Sequence, residues 1–258
     1  VTRRWVGRAY VAAVLLFLYT PILVLVVYSF NASRFSTDWT GFTLAWYGRL
    51  AANQALLEAA GNSLIVALIA ATLATVLGTL AAMAIHRYRF RGRGLVKGGL
   101  YVLTVSPDIV MGISFLVLFV AVGMPLGFTT LVLGHVTFCL PFATITVLAR
   151  LKGFDAHLVE AAQDLGADEP TIFRKILLPL VRPAVLAGWL LSFTLSIDDV
   201  MVSFFITGPG FDILPLRIYS MVRLGVRPEV NALCAILLAL TFTMVLVAWL
   251  VTRERTQK

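Results

Sequence analysis

Charge is scarce in this chain. Only 13% of its 258 residues are Asp, Glu, Lys or Arg, against about a quarter in soluble domains. That scarcity excludes an ordinary soluble domain. Cysteine is also rare. Cys139 and Cys234 are the two present, each alone in an apolar run, which excludes a disulfide framework and a thiolate metal centre. No G-x-x-x-x-G-K-[ST] phosphate loop occurs. "GRGLVKGG" at 92–99 has glycines and a lysine in the wrong order. ATP therefore has no usual site in this chain.

Apolar residues are what the chain has in abundance, 60% of the total. They fall into six runs, about 9–30, 60–86, 98–123, 128–149, 183–207 and 231–252. Each is near the ~20 residues that carry a helix across ~30 Å of hydrocarbon. Lipid offers no hydrogen bond to a backbone, so such spans must be helices. The first run follows Arg3, Arg4 and Arg8 without an A-x-A-like cleavage site after it, and is expected to be an uncleaved anchor.

The chain is basic, with 21 Lys and Arg against 13 Asp and Glu. The placement of the basic residues gives a topology. With a cytoplasmic N-terminus the inside segments hold most of them, in groups around Arg3, Arg87–Lys97, Arg150–Arg182 and Arg253–Lys258. The outside segments hold Arg34, Arg49, Arg217, Arg223 and Arg227. The excess is a positive-inside signal rather than a nucleic-acid footprint, and it puts both termini in the cytoplasm. Two outside segments are more than turns. Residues 31–59 include "FTLAWYGRL" and residues 208–230 open on Gly-Pro-Gly; both are expected to lie at the interface. In the second span Ala70, Ala74, Gly78 and Ala82 make a row of small residues for close helix packing, either within the subunit or against a second one.

The longest inside segment, 150–182, contains "VEAAQDLGADEPTIFRKILLP". "HLVEAAQDL" reads as a short helix that Gly166 ends. Asp168 caps a second helix with Pro170 in its first turn. Glu160-Ala161-Ala162, then Gly166, then Ile176-Leu177-Leu178-Pro179 resemble the EAA loop of ABC importer permeases. The resemblance implies that Glu160, Ala161, Ala162, Gly166, Ile176, Leu178 and Pro179 couple the chain to a separate ATPase subunit, through a helix that docks into a groove on it.

Acids inside apolar spans are the remaining anomaly. Asp198 and Asp199 sit in "FTLSIDDVMVSFFI", and Asp108 in "TVSPDIVMG". Each costs about 2.5–3.5 kcal/mol at mid-membrane, so such acids usually face a cavity and serve transport. On straight helices Asp108 is ~16 Å past Lys97 and Asp198 ~14 Å before Thr207, which puts both near one depth. No Lys or Arg lies in any span to neutralise them, and His135 is the titratable base deep in one. A cationic substrate is one way to balance the charge; protonation and a base on another subunit are the others. Two helical neighbours point about 100° apart, so one of Asp198 and Asp199, with the lean toward Asp198, is expected to line the path. The other would cap a break or bond a neighbouring helix.

"HVTFCLPF", "FTLSIDDV", "TGPGFDILPLRIYSMV" and "PEVNAL" resemble the permeases of spermidine/putrescine importers over nearly the whole chain. Polyamines are linear cations, and ring faces attract ammonium groups. Tyr19, Trp46 and Tyr88 are therefore path candidates beside Asp108, Asp198 and Asp199.

The sequence reading is an all-α polytopic membrane protein, residues 1–258 forming a single permease domain of six spans, of the type I ABC importer kind, with a cytoplasmic coupling helix. The resemblance implies a second homologous permease, two ATP-binding cassette subunits that hold ATP and Mg, and an extracytoplasmic polyamine-binding protein. It implies no cofactor in this chain and a bacterial inner membrane. The rival readings are a permease for thiamine, iron or an opine, an ion-driven carrier using Asp108 and Asp198 as a proton relay, and a membrane receptor or scaffold.

Overall fold

The computed structural model describes residues 2–33, 38–153, 157–223 and 228–255; side chains of 2–4, 240–241 and 244–255 are outside the description. Arg34, Arg227 and Lys258 of the charge pattern, and side chains of Arg3, Arg4, Arg253 and Arg255, lie outside it. The elements are α1 (Thr2–Tyr28), α2 (Ala45–Ala52), α3 (Gln54–Arg87), α4 (Arg93–Val105), α5 (Asp108–Ala121), α6 (Phe128–Leu151) and α7 (His157–Asp164). They continue as α8 (Glu169–Ile172), a π-helical turn (Phe173–Leu177), α9 (Leu178–Asp198), α10 (Met201–Ile206), α11 (Leu214–Arg223) and α12 (Pro228–Arg255). Among the described residues the only β pairing is the isolated bridge Asn31–Phe42.

Four described helical stretches are long and apolar enough to cross a membrane: Trp5–Tyr28, Gln54–Arg87, Phe128–Leu151 and Glu169–Asp198. α4 and α5 are apolar and long enough only as a pair, and they are bent by 114° at the break between them, the geometry of a broken span or a re-entrant loop. The sixth expected span, 231–252, lies within α12.

The chain divides into two compact units, residues 1–57 with 217–258, and residues 58–216. In the first, α12 packs on α1 and α2. The segment after α1 is tied down by Asn31. Its Nδ2 donates to Asp38 O at 2.7 Å, its Oδ1 accepts from Thr40 N at 3.0 Å, and its carbonyl accepts from Trp46 Nε1 at 2.7 Å.

In the second unit α6 is the central post, buried along much of its length against α9, α4 and α10. The small-residue row of α3 packs inside this unit: Ala70, Ala74 and Ala82 are buried, and a Cβ on Gly78 would lie 3.0 Å from both Ala143 Cβ and Thr144 N. Ala74 joins a core that also holds Val66, Met111, Phe119, Leu131, Phe138 and Val202.

Two expectations from the sequence are corrected here. The run 98–123 is not one straight or mildly kinked helix. Ser106 and Pro107 are extended, with ψ of 132° and 135°, because a residue before proline is driven out of the helical region and Pro107 supplies no N–H. The run 183–207 is not one helix either. Asp199 is extended (φ −65°, ψ 126°) and separates α9 from α10. Depths counted along straight helices therefore do not hold for Asp108 and Asp198.

After α10 the chain turns at Gly208, where backbone meets backbone. A Cβ there would lie 1.9 Å from Leu126 O and 2.4 Å from Leu126 C. No side-chain rotation relieves that contact. Gly208→Ala is expected to destabilise the fold by about 2–4 kcal/mol, seen as a lower melting temperature of the purified complex. An unchanged melting temperature would show that the 126–127 backbone yields freely.

Candidate functional site

Asp199 is not presented to a path along a helix face. It caps α10. Its Oδ1 accepts from Val202 N at 3.2 Å; its Oδ2 accepts from Ser203 N at 2.8 Å and Ser203 Oγ at 2.7 Å. These are the donors that a helix start leaves without partners. The carboxylate is buried, and His135 Nε2 lies 3.6 Å from Oδ2. The expectation that one of the paired acids caps a break holds. The premise that both sit on one helix does not.

Asp198 ends α9 and is exposed on the single chain. Asp108 opens α5, also exposed. The packing of α5 on α10 relates the two. A Cβ on Gly112 would lie 2.6 Å from Phe205 Cδ2 and 3.3 Å from Val202 Cα and Met201 O. One turn further, Phe115 and Ile206 meet at the same spot beside Gly134. Asp108 lies one turn before Gly112 on α5, and the break at 199–200 directly precedes Met201 and Val202 on α10. Each acid thus stands at a helix break beside the α5–α10 contact.

The aromatic candidates are dispersed. Tyr19 is exposed on α1. Trp46 is buried in the first unit, its Nε1 spent on Asn31 O, with the Arg49 guanidinium 4.6 Å from its ring centre. Tyr88 follows α3, and its Oη donates to Glu169 Oε2 at 3.4 Å. Glu169 begins the helical stretch that Asp198 ends, which is roughly 40 Å long at 1.5 Å per residue. Tyr88 therefore belongs to the opposite end from Asp198.

That opposite end is the EAA loop. The helix–break–helix reading holds in detail. Gly166 has φ +81°, the left-handed region where a Cβ is penalised. Gly166 N donates to Gln163 O at 2.8 Å and Ala167 N to Ala162 O at 2.9 Å, the paired bonds of a Schellman cap. Asp168 then caps α8, accepting from Thr171 N at 3.1 Å. Hydrogen bonds from the Thr171 side chain and backbone hold the Asp168 carboxyl below its ordinary range.

The second helix is not a separate loop element: α8, the π turn and α9 run on as one stretch into the span. The π turn carries Ile176, half-buried; Leu178 and Pro179 follow, both exposed. Leu178 N reaches back to Phe173 O, the five-residue step of π geometry.

On α7, Glu160 and Ala161 are exposed, but Ala162 is buried. Ala162 thus seats the helix on its own chain and is not part of an outward surface, which corrects the expectation for that residue. Leu158, Ala161 and Leu165, at helical spacing, form the exposed apolar side; Leu165 is 88% exposed. An open cleft of about 310 Å3 lies behind α7, with Met83, Arg87, Leu151, Glu160 and Leu177 among its walls. Arg87 forms an ion pair with Glu169, which ties α3 to the start of α8. The sequence reading missed Glu169, Ser196 and Ser203. An acid beside Asp168, and hydroxyls spaced along an apolar run, were the available signals.

Comparison with known proteins identifies the family. The family described as "Binding-protein-dependent transport system inner membrane component" matches residues 74–256. The chain is 57% identical over 254 residues to the spermidine/putrescine transport system permease protein PotC of Escherichia coli K12, covering 98% of this chain and 96% of that one. It is 43% identical to the putrescine transport system permease protein PotI of the same strain, covering 94% and 89%. A solved bacterial alginate ABC transporter, in complex with a pentasaccharide-bound periplasmic protein, has a chain of similar fold. The TM-score is 0.73 at 18% identity, over 100% of this chain and 97% of that one. The chain is thus a multi-pass membrane component of transport and not an enzyme, and it belongs to the binding-protein-dependent inner membrane components, the permeases of ABC importers.

Proposed function

We propose that the chain is a permease subunit of an ATP-driven polyamine importer and forms the translocation path with a second permease by alternating access. One observation carries the substrate class: acids at two helix breaks beside one α5–α10 contact, without Lys or Arg in the apolar runs to balance them. A linear cation balances them while it crosses. The names of the relatives, spermidine/putrescine and putrescine permeases, support the same class.

Asp198 and Asp108 are the anionic stage. Tyr19, exposed on α1, is a further proposed cation contact; Trp46, buried with its Nε1 bonded to Asn31 O, holds the segment after α1 instead; Tyr88 stands at the cytoplasmic end. Asp199 serves the path indirectly, by holding the break. At the other end Glu160, Ala161 and Gly166 form the outward helix and its hinge, while Ile176, Leu178 and Pro179 join that motion to α9. ATP and Mg are bound by two partner ATPases, and an extracytoplasmic protein delivers the polyamine. Both termini are cytoplasmic.

Reconstitution tests the assignment. This chain alone in liposomes moves no spermidine or putrescine, even with ATP inside. With its partner permease, the ATPase and the binding protein it supports ATP-dependent uptake. Robust uptake by the chain alone, or uptake by the complex that ignores ATP, would overturn the reading.

A further inference from the structure

The α9–α10 break has a second holder besides Asp199. His135 of α6 is buried, 1% exposed, and its two ring nitrogens reach both sides of the break. Nδ1 lies 2.7 Å from Ser196 Oγ on α9, and Nε2 lies 2.8 Å from Ser203 Oγ on α10. Ser196 and Ser203 are buried as well.

For a neutral His135 ring beside the Asp199 carboxylate, the donors and acceptors present give each bond a direction. The Asp199 carboxylate only accepts, and it receives Ser203 N–H and Ser203 Oγ–H. The single hydroxyl proton of Ser203 is then spent. Its oxygen accepts from His135, so Nε2 carries the proton. In the neutral ring Nδ1 is left as an acceptor, and Ser196 Oγ–H donates to it. The chain Ser196→His135→Ser203→Asp199 has each proton used once.

Such a chain is dear to keep in an apolar span, because any member left unpaired costs several kcal/mol there. It is also more than a packing contact. A helix break frees backbone groups on both sides and leaves the relative rotation of the two pieces open. Asp199 fixes the start of α10, but nothing in that cap fixes the last turn of α9. Ser196 stands in that turn, two residues before Asp198. Holding Ser196 from α6 holds the rotation of the turn, and with it the direction of the Asp198 carboxylate.

We propose that His135 is a positioning residue of the transport path: it splints the α9–α10 break through Ser196 and Ser203 and so aims Asp198 at the passing cation. The inference rests on the Asp198 reading given above. Ser196 and Ser203 are parts of the same splint.

Uptake kinetics of the whole complex, normalised to inserted complex, test it with His135→Phe, Ser196→Ala, Ser203→Ala and Asp198→Asn, singly and combined. His135→Phe keeps ring bulk and removes both hydrogen bonds. Each serine variant removes one oxygen and carries the test if His135→Phe does not assemble. The network variants are expected to lower Vmax about three- to tenfold, with KM changed less than about twofold. Added to Asp198→Asn, each is expected to cost less than about twofold more, because residues that act through one group are not additive.

Multiplied losses in the double variants would overturn the positioning role and leave the Asp198 reading standing. Unchanged Vmax in all three network variants would do the same. Unchanged uptake in Asp198→Asn alone would remove the Asp198 reading, and this inference with it.

Discussion

Asp198→Asn and Asp108→Asn each lower uptake of radiolabelled spermidine or putrescine about five- to tenfold at unchanged amounts of inserted complex. The reason is electrostatic. A cation among apolar helices feels a carboxylate far more strongly than it would in water. The amide keeps the shape and loses the charge. Insertion does not suffer, because a neutral amide removes a charge that is unfavourable among apolar helices. A transport loss therefore cannot be ascribed to a weaker fold.

Asp199→Ala behaves differently. Its carboxylate accepts three hydrogen bonds at the start of α10. Removing it leaves buried donors without partners, at about 1–3 kcal/mol for each such group. The expected result is less assembled complex and a lower melting temperature. Full uptake in both Asp198→Asn and Asp108→Asn would mean that these acids are structural, and the cation argument would fall.

Gly166→Pro is expected to abolish substrate-stimulated ATP hydrolysis by the assembled complex, while the soluble component still binds polyamine. Gly166 sits at φ +81° and its N–H donates to Gln163 O. Proline fixes φ near about −65° and has no N–H, so the Schellman cap opens and α7 loses its set angle to α8. Ala161→Asp and Ala162→Asp separate docking from seating. Ala161 is exposed and Ala162 buried. Ala161→Asp places a charge on the outer side of α7, so it should lower stimulated hydrolysis with the fold intact. Ala162→Asp forces a charge under the helix, so it should lower assembly as well. Wild-type hydrolysis in both Gly166→Pro and Ala161→Asp would remove the coupling role from this loop.

The coupling loop was readable in the sequence to within a residue or two. Gly166, Asp168 and Pro170 are local signals, and the bonds they make span five residues or fewer. What could not be read there was which side of α7 faces inward. Ala161 and Ala162 are the same residue type, and only the chain behind them distinguishes the two. The row Ala70, Ala74, Gly78 and Ala82 shows the same limit. The sequence announces close packing; the structure names Ala143 and Thr144 as the partners of Gly78.

By itself the sequence determined that this is a helical, multi-pass membrane chain with a helix–break–helix loop before the penultimate apolar run, and where its apolar runs lie. It could do so because lipid permits one solution: a long apolar run with no outside hydrogen-bond partners must satisfy its backbone internally. Only the tertiary structure decided where those helices stop short. The break at 106–107 has a local signal in Pro107, but the break at 199–200 interrupts a run whose composition allows a helix throughout. A break in such a run survives only if other groups take up the freed backbone and side-chain polarity. At 199–200 those groups are Asp199, Ser203 and, from a different helix 64 residues earlier in the chain than Asp199, His135. Asp198 and Asp199 are neighbours in sequence with opposite fates, one ending α9 and one capping α10 from within the break, because the helix stops between them.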